Sequence, residues 1–170
     1  MCIRDSTELK PGETVVAGGT TVTNNGDAIV IEKGGTTATV TPAGDSVQVG
    51  GDGSVAIPDG SKAVITSGEG GSTTNVTVPE GGDLAIDDNG AVTVPDGSTV
   101  QTGDGPAITL PNGGTVDNTG KVTADEVKIG GTTVTGAGTT VAPDGSVTIP
   151  AGGTVQTGDG PVITLPERCV

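Results

Sequence analysis

The chain reads VTVPDGSTVQTGDGPAITLPNGGTV from residue 92 to residue 116, and this stretch decides the fold class. Aliphatic residues alternate with threonine, as in Val92, Thr93 and Val94, and a period of two is the signature of a β-strand. Pro95 closes the first run, because proline has no backbone N–H to donate to a strand ladder. Asp-Gly and Asn-Gly pairs supply turns, since glycine tolerates positive φ. The stretch therefore predicts short strands separated by tight turns.

The same phrase recurs along most of the chain. Residues 147–166 read VTIPAGGTVQTGDGPVITLP, and the copies that begin at residues 76, 92 and 108 are 16 residues apart. With the degenerate copies included, units begin near residues 29, 47, 76, 92, 108, 127, 147 and 163. No domain boundary interrupts this series. A fixed period of this kind is typical of repeat architectures.

The composition favours strands and argues against most reaction chemistry. The 170 residues include 32 Gly, 11 Pro, 29 Thr, 23 Val and 10 Ile, but no His, Phe, Tyr or Trp. The usual general base and the aromatic platform for bases are therefore missing. A net charge of −14 also repels nucleic acid. No apolar run approaches the length of about 20 residues that spans a bilayer. We predict no enzymatic activity, no catalytic, cofactor-binding or metal-binding residues, no cofactor, no nucleic-acid partner and no membrane insertion.

Both termini are interpreted as library scars. Residues 1–6 match the translation of a transposase adapter used in sequencing libraries. Residues 168–170 match the translation of the same adapter in a second reading frame, in which a stop codon follows. Such segments are excluded from fold reasoning. We therefore divide the chain into a scar at 1–6, a single repetitive segment at 7–167, expected to be a fragment of a longer protein, and a scar at 168–170. Both cysteines lie in the scars, and a disulfide between Cys2 and Cys169 is the alternative interpretation.

We expect an all-β repeat protein, an elongated β-solenoid-like stack of short strands with units of about 16 residues. In such a stack Val92 lies over Ile108, and Thr93 and Thr109 belong to one outward threonine ladder. An antiparallel β-hairpin array or a two-layer β-sandwich is the alternative, because a Pro-Asp-Gly sequence also forms hairpin turns. A disordered linker is a further alternative, given the low hydrophobicity and high charge.

A few short motifs suggest chemistry, but the oxygen-rich and glycine-rich segments have a simpler interpretation as turns. The segments 50–55 and 87–90 cluster oxygen donors, yet both lack the full ligand spacing of a calcium loop. The glycine-rich segments 103–106 and 158–161 lack the helix and lysine of a phosphate loop. Asn75 begins a glycosylation sequon. Three Thr-x-Thr pairs suggest ice binding, but their irregular spacing favours ordinary strand surface. They are Thr21 and Thr23, Thr37 and Thr39, and Thr133 and Thr135.

Two resemblances indicate a cell-surface role. The segment 53–63 resembles the Ser-Val-Ala-Ile-Gly coils in the heads of bacterial trimeric autotransporter adhesins, with Pro58 in place of the glycine. The Val-Thr-Val-Pro-x-Gly-Gly-Thr-Val phrases across residues 76–166 resemble the Gly, Thr and Val-rich repeat regions of large bacterial cell-surface proteins. These resemblances imply an extracellular stalk or adhesive array.

The expected function is therefore a structural or adhesive segment of a secreted or surface-anchored bacterial protein. Extracellular glycan or protein surfaces are the expected partners, and we also expect end-to-end self-association through unpaired strand edges. The alternatives are a module that binds glycan or ice through a threonine-rich face, and a passive spacer of a surface enzyme whose catalytic domain lies outside this segment.

Overall fold

The computed structural model describes residues 6–41, 47–67 and 71–167, which form β-strands and turns and contain no helix. The expectation of an all-β repeat fold is confirmed. Of the predicted scars only Ser6 is described, and Cys2 and Cys169 lie outside the described residues. The strands are β1 (Ser6–Leu9), β2 (Thr14–Ala17), β3 (Thr20–Asn24), β4 (Ile29–Lys33), β5 (Thr36–Thr41), β6 (Val47–Gly50), β7 (Val55–Ile57), β8 (Lys62–Ser67), β9 (Thr73–Thr77), β10 (Gly82–Ile86), β11 (Val92–Val94), β12 (Ser98–Thr102), β13 (Ile108–Leu110), β14 (Gly114–Val116), β15 (Val122–Ile129), β16 (Thr132–Val141), β17 (Val147–Thr148), β18 (Thr154–Thr157) and β19 (Ile163–Thr164).

These strands form one open, antiparallel network that consists of two ladders. The short ladder has the order β1, β6, β7, β10, β11, β14, β15, β16, β17. The long ladder has the order β2, β3, β4, β5, β8, β9, β12, β13, β15, β16, β18, β19. The strands β15 and β16 belong to both, because an irregularity between Ala124 and Glu126 shifts their register and divides each of them between the ladders.

Proline corners carry the chain from one ladder to the other. They lie at Pro58, Pro79, Pro95, Pro111 and Pro150, each directly after a strand or one residue beyond it. At Pro95 the carbonyl oxygen accepts hydrogen bonds from the backbone N–H of Ser98 at 3.3 Å and from its hydroxyl at 2.6 Å. Because proline cannot donate to a ladder, the strand ends at this point and the turn redirects the chain.

The corners explain why the predicted stacking of residues 16 apart is wrong. Val92 pairs with Ile86 and Val116 in the short ladder, whereas Ile108 pairs with Val100 and Ile129 in the long ladder. A 16-residue unit contains one corner and one hairpin, so the units that begin at residues 76, 92 and 108 lie alternately on the long, short and long ladders. The strands pair as the antiparallel hairpins of the alternative arrangement.

The core between the ladders is filled by aliphatic side chains. Along most strands buried residues alternate with outward residues, as in β11, where Val92 and Val94 are buried and Thr93 is exposed. The buried residues of both ladders form a single cluster, so the two ladders face each other. Its largest fully buried members are Leu9, Ile29, Ile31, Leu84 and Leu110. Burial of these side chains contributes about 25 cal/mol per Å² of apolar surface.

Hairpin turns of the two ladders also contact each other through side-chain hydroxyls. The Thr36 hydroxyl, at the start of β5, donates to the carbonyl of Gly90 in the β10–β11 turn at 2.7 Å. The Thr102 hydroxyl at the end of β12 donates to the carbonyl of Gly120 in the β14–β15 turn at 3.0 Å. Thr20 occupies the corresponding position beside the β6–β7 turn, but its buried hydroxyl has no partner. These bonds fix the position of one ladder relative to the other along the direction in which the strands stack.

We expect Gly90→Ala to destabilise the fold much more than Gly35→Ala. Both glycines have positive φ, +80° and +76°, so each alanine has a backbone cost of about 1–2 kcal/mol. Only at Gly90 does an added Cβ lie 2.5 Å from the Thr36 hydroxyl, which disrupts the contact between turns, whereas at Gly35 no atom lies within 4 Å. Urea unfolding followed by far-ultraviolet circular dichroism measures both. Equal losses of unfolding free energy would show that the turn contact does not stabilise the fold.

Candidate binding surface

Five threonines form an unbroken column on the outer face of the short ladder. Each lies directly opposite the next on the neighbouring strand. The side chains that flank each threonine along its own strand point into the core, and at Thr115 one of the two flanking residues is Gly114. Directly opposite residues on antiparallel strands have Cβ atoms about 4.5–5.5 Å apart. The column therefore presents a regular line of hydroxyl and methyl groups across five strands. It consists of Thr93, Thr115, Thr123, Thr140 and Thr148.

An acidic groove adjoins one end of this threonine column. The groove has a volume of about 590 Å³ and is lined by Thr93 and Thr115 together with the corner turns. Glycines form part of its wall, and the close packing of the corners requires them: a Cβ on Gly82 would lie 2.5 Å from Pro95. Four side chains supply oxygen or amide groups for hydrogen bonds. They are Glu80, Asp83, Asp96 and Asn112.

The outer face of the long ladder is less regular. One of its columns contains two lysines and a glutamine among threonines. Some threonine hydroxyls on this face bond each other across strands, as do Thr14 and Thr23 at 3.0 Å. The three predicted Thr-x-Thr pairs all lie on this face. The column consists of Thr41, Lys62, Thr77, Thr99, Thr109, Lys128, Thr133 and Gln156.

The prediction that Thr93 and Thr109 share one threonine ladder is wrong. Thr93 lies on the short ladder and Thr109 on the long ladder, so the two residues are on different outer faces. The proline corner between β11 and β12 separates them, for the reason that separates Val92 from Ile108. Sequence reasoning therefore missed the column on the short ladder, although the alternating Val-Thr-Val pattern identified Thr93 as an outward residue.

The motifs interpreted as turns are turns. In the β10–β11 turn the Asp87 carboxylate accepts the backbone N–H groups of Asn89 at 2.8 Å and Ala91 at 2.9 Å, and Asp88 forms an ion pair with Lys33 at 3.1 Å. In the segments 103–106 and 158–161 the chain turns between β12 and β13 and between β18 and β19. The oxygen atoms of Asp87 and Asp88 therefore serve the local turn and an ion pair.

Asp117 is the partly buried acid in the equivalent turn between β14 and β15. Burial raises the pKa of its carboxyl group, but hydrogen bonds from the hydroxyl and backbone N–H of Thr119 and from the N–H of Lys121 outweigh burial. The net result is a pKa below the ordinary value of 3.8. In the β16–β17 turn the hydroxyl and N–H of Ser146 likewise lower the pKa of Asp144. These carboxylates stabilise the turns in their charged form.

In the part of the chain that the structure describes, no group of three or more His, Cys, Asp or Glu side chains is arranged to hold a metal ion. The same residues include no helix able to cross a membrane. The chain matches no family model, no curated protein and no solved structure.

Acid is expected to weaken the fold through Asp117. Because its folded-state pKa is lowered, the carboxylate contributes stability above pH 3.8, and this contribution disappears as the pH falls through the folded-state pKa. Asp117→Asn should reduce the unfolding free energy at neutral pH and flatten its fall below pH 3.8. Urea titrations between neutral pH and strong acid measure both effects. Asp83→Asn, on the outer face of the short ladder, is the control, and identical pH profiles for wild type and Asp117→Asn would contradict the assignment.

Proposed function

We propose that this chain is a structural and adhesive repeat segment, a non-enzymatic spacer in a secreted or surface-anchored bacterial protein. The observation that carries the proposal is the alternation of corner and hairpin, which adds strands to both ladders in one direction only. The long ladder has twelve strands, and at about 4.8 Å per strand it is about 50 Å long. A repeat fold that grows along one axis is suited to holding other parts of a protein at a distance.

Local contacts support the spacer role. Neighbouring corners bond each other, as in the N–H of Gly97 donating to the carbonyl of Leu110 at 2.8 Å and the N–H of Gly60 donating to the carbonyl of Pro79 at 3.2 Å. Hydrogen bonds also join turns of the two ladders that lie at the same position along the stack, as between the Thr36 hydroxyl and the Gly90 carbonyl. Because each unit contacts only its neighbouring units, further units would lengthen the rod without changing its cross-section. The net charge of −14 keeps such a rod soluble.

The adhesive part of the proposal rests on the threonine column and the groove beside it. Regularly spaced hydroxyls make weak contacts with an extended polar ligand, and repetition strengthens these contacts through multivalency. Carboxylate and amide groups such as Asp96 and Asn112 are suited to hydrogen bonds with sugar hydroxyls. A neutral glycan is therefore the favoured ligand class, since the acidic groove repels anionic chains. The resemblance to bacterial surface repeats agrees with this extracellular role.

Lengthening the repeat tests the spacer role. Insertion of a second copy of residues 92–146 after residue 146 keeps the order of corners and hairpins, because residues 147–166 repeat residues 92–111. The insert contains β11 to β16, which add four strands to each ladder. We expect the maximum dimension from small-angle X-ray scattering to increase by about 20 Å with an unchanged cross-section. Equal growth in all directions would refute a rod-like spacer.

Removing hydroxyls from the threonine column tests the adhesive role. Thr115→Val combined with Thr123→Val keeps the side-chain shape and removes two hydroxyls, each contributing about 1 kcal/mol when it makes a hydrogen bond. Binding to insoluble neutral polysaccharides should weaken by about tenfold or more. The matched control is Thr66→Val combined with Thr73→Val, a cross-strand pair on the long ladder.

Three outcomes separate the alternatives. Equal loss in both double variants would show that the threonine column is not the binding surface. Thermal hysteresis that depends on Thr115 and Thr123, without polysaccharide binding, would identify ice as the ligand. Absence of binding to every surface would leave the chain as a spacer alone.

A further inference from the structure

Three asparagines in the chain are followed directly by glycine, and the structure places each pair in a turn. Asn25 lies in the turn between β3 and β4, Asn89 in the turn between β10 and β11, and Asn112 in the corner between β13 and β14. Asparagine is thermolabile because the backbone nitrogen of the next residue attacks its side-chain amide, and a following glycine has no Cβ to hinder that attack. All three asparagines are exposed, so neither the local sequence nor side-chain exposure separates them.

The glycines that follow these asparagines differ in their surroundings. Gly90 and Gly113 are buried, whereas Gly26 is exposed. A Cβ on Gly90 would lie 2.5 Å from the Thr36 hydroxyl, and a Cβ on Gly113 would lie 2.7 Å from the Val94 carbonyl oxygen. Apart from atoms of adjacent residues, the atom nearest to a Cβ on Gly26 is 3.9 Å away. The peptide groups of Gly90 and Gly113 therefore cannot rotate without moving a neighbouring strand or turn, but that of Gly26 can.

Hydrogen bonding of the glycine nitrogens does not produce this difference. Each of the three N–H groups donates one hydrogen bond within its turn, and the acceptors are Asn24 Oδ1 for Gly26 at 2.9 Å, the Asp87 carbonyl for Gly90 at 3.0 Å and the Leu110 carbonyl for Gly113 at 3.1 Å. At Gly90 the carbonyl is held as well, because it accepts the Thr36 hydroxyl of the other ladder at 2.7 Å. The buried glycines are thus fixed by tertiary contacts that Gly26 lacks.

The exposure of Gly26 does not arise from an end of the strand network. In the long ladder β3 pairs with both β2 and β4, and β4 pairs with both β3 and β5. The turn that joins β3 to β4 therefore lies between interior strands.

We propose that Asn25 is a site of spontaneous deamidation, whereas tertiary contacts protect Asn89 and Asn112 from the same reaction. The Gly26 nitrogen loses its proton to hydroxide and attacks Cγ of Asn25, once the two atoms approach to about 3–3.5 Å. The new N–Cγ bond closes a five-membered imide while the Cγ–Nδ2 bond breaks, and the leaving nitrogen takes a proton from water and departs as ammonia. Water then opens the imide at either carbonyl and gives aspartate or isoaspartate, so the net reaction consumes one water and releases one ammonia.

The modification changes charge and backbone length in this turn. The product carries one more negative charge, two residues from the exposed Asp27. Isoaspartate also adds one methylene to the backbone, next to the bond from the N–H of Asn25 to the carbonyl of Ala28 at 2.9 Å. Protection of Asn112, by contrast, keeps a neutral amide in the groove beside the threonine column.

Mass spectrometry of proteolytic peptides tests the proposal. The full chain is incubated in a mildly alkaline buffer, digested at acidic pH to prevent further reaction, and the deamidated fraction at each of the three asparagines is followed with time. We expect Asn25 to react roughly tenfold or more faster than Asn89 and Asn112, the factor that corresponds to a cost of about 1.4 kcal/mol or more for freeing a packed peptide group. In concentrated urea the three rates should become similar, because all three sites are then followed by an unrestrained glycine.

A variant tests whether tertiary contact is the cause of protection. Thr36→Val removes the hydroxyl that holds the Gly90 carbonyl, and should raise the rate at Asn89 severalfold without changing the rates at Asn25 and Asn112. Thr37→Val lies on the outer face of the same strand and is the matched control, which should change no rate. Far-ultraviolet circular dichroism checks that both variants fold.

Three results would overturn the proposal. They are equal rates at the three asparagines in the folded chain, a rate at Asn25 as slow as that of the other two relative to the unfolded chain, and an equal rise at all three sites in Thr36→Val. The last result would show that global unfolding, and not the local contact, controls the reaction.

Discussion

At each proline corner the chain must leave one ladder and enter the other, and the rest of the structure depends on this constraint. Proline has no N–H to donate, so a strand such as β11 ends where Pro95 begins. The turn that follows bonds to the neighbouring corner instead, through contacts such as Gly97 to Leu110. Two ladders are therefore built at the same time, and each supplies the apolar face that the other needs to cover.

This arrangement explains how a chain without aromatic residues forms a core. Short strands bring only one or two aliphatic side chains each into the space between the ladders, as Val92 and Val94 do in β11. Valine, isoleucine, leucine and alanine fill a thin core of this kind without large rings. The same arrangement makes the fold open along its axis, so its ends have different surroundings from its interior. Ile108, in an interior strand, is 4% exposed, whereas Ile163, in the last strand, is 60% exposed.

Function and architecture are connected through the outer faces. Because the inward residues of a strand leave an outward threonine between them, as Val92 and Val94 leave Thr93, pairing of strands turns a local alternation into the threonine column. The corners place Asp96 and Asn112 beside the end of this column that contains Thr93 and Thr115, where they border the groove. A rod with a polar, repeated face fits the proposed role of spacer and weak multivalent adhesin.

The sequence by itself determined the all-β class, the short strands, the turns at Asp87 and Gly103, and which residues point inward. These features depend on neighbours a few positions away, through alternation, proline and glycine. Only the tertiary structure decided that Val92 lies opposite Val116 and on the other ladder from Ile108, and that Thr93 joins Thr115 in a column. The physical reason is that one local sequence serves both purposes: Pro-Asp-Gly forms a corner at Pro95 but lies in the hairpin turn between β16 and β17 at Pro143. Which ladder the chain enters after each turn depends on hydrogen bonds and apolar contacts with distant strands, and the threonine column and the groove arise from those contacts.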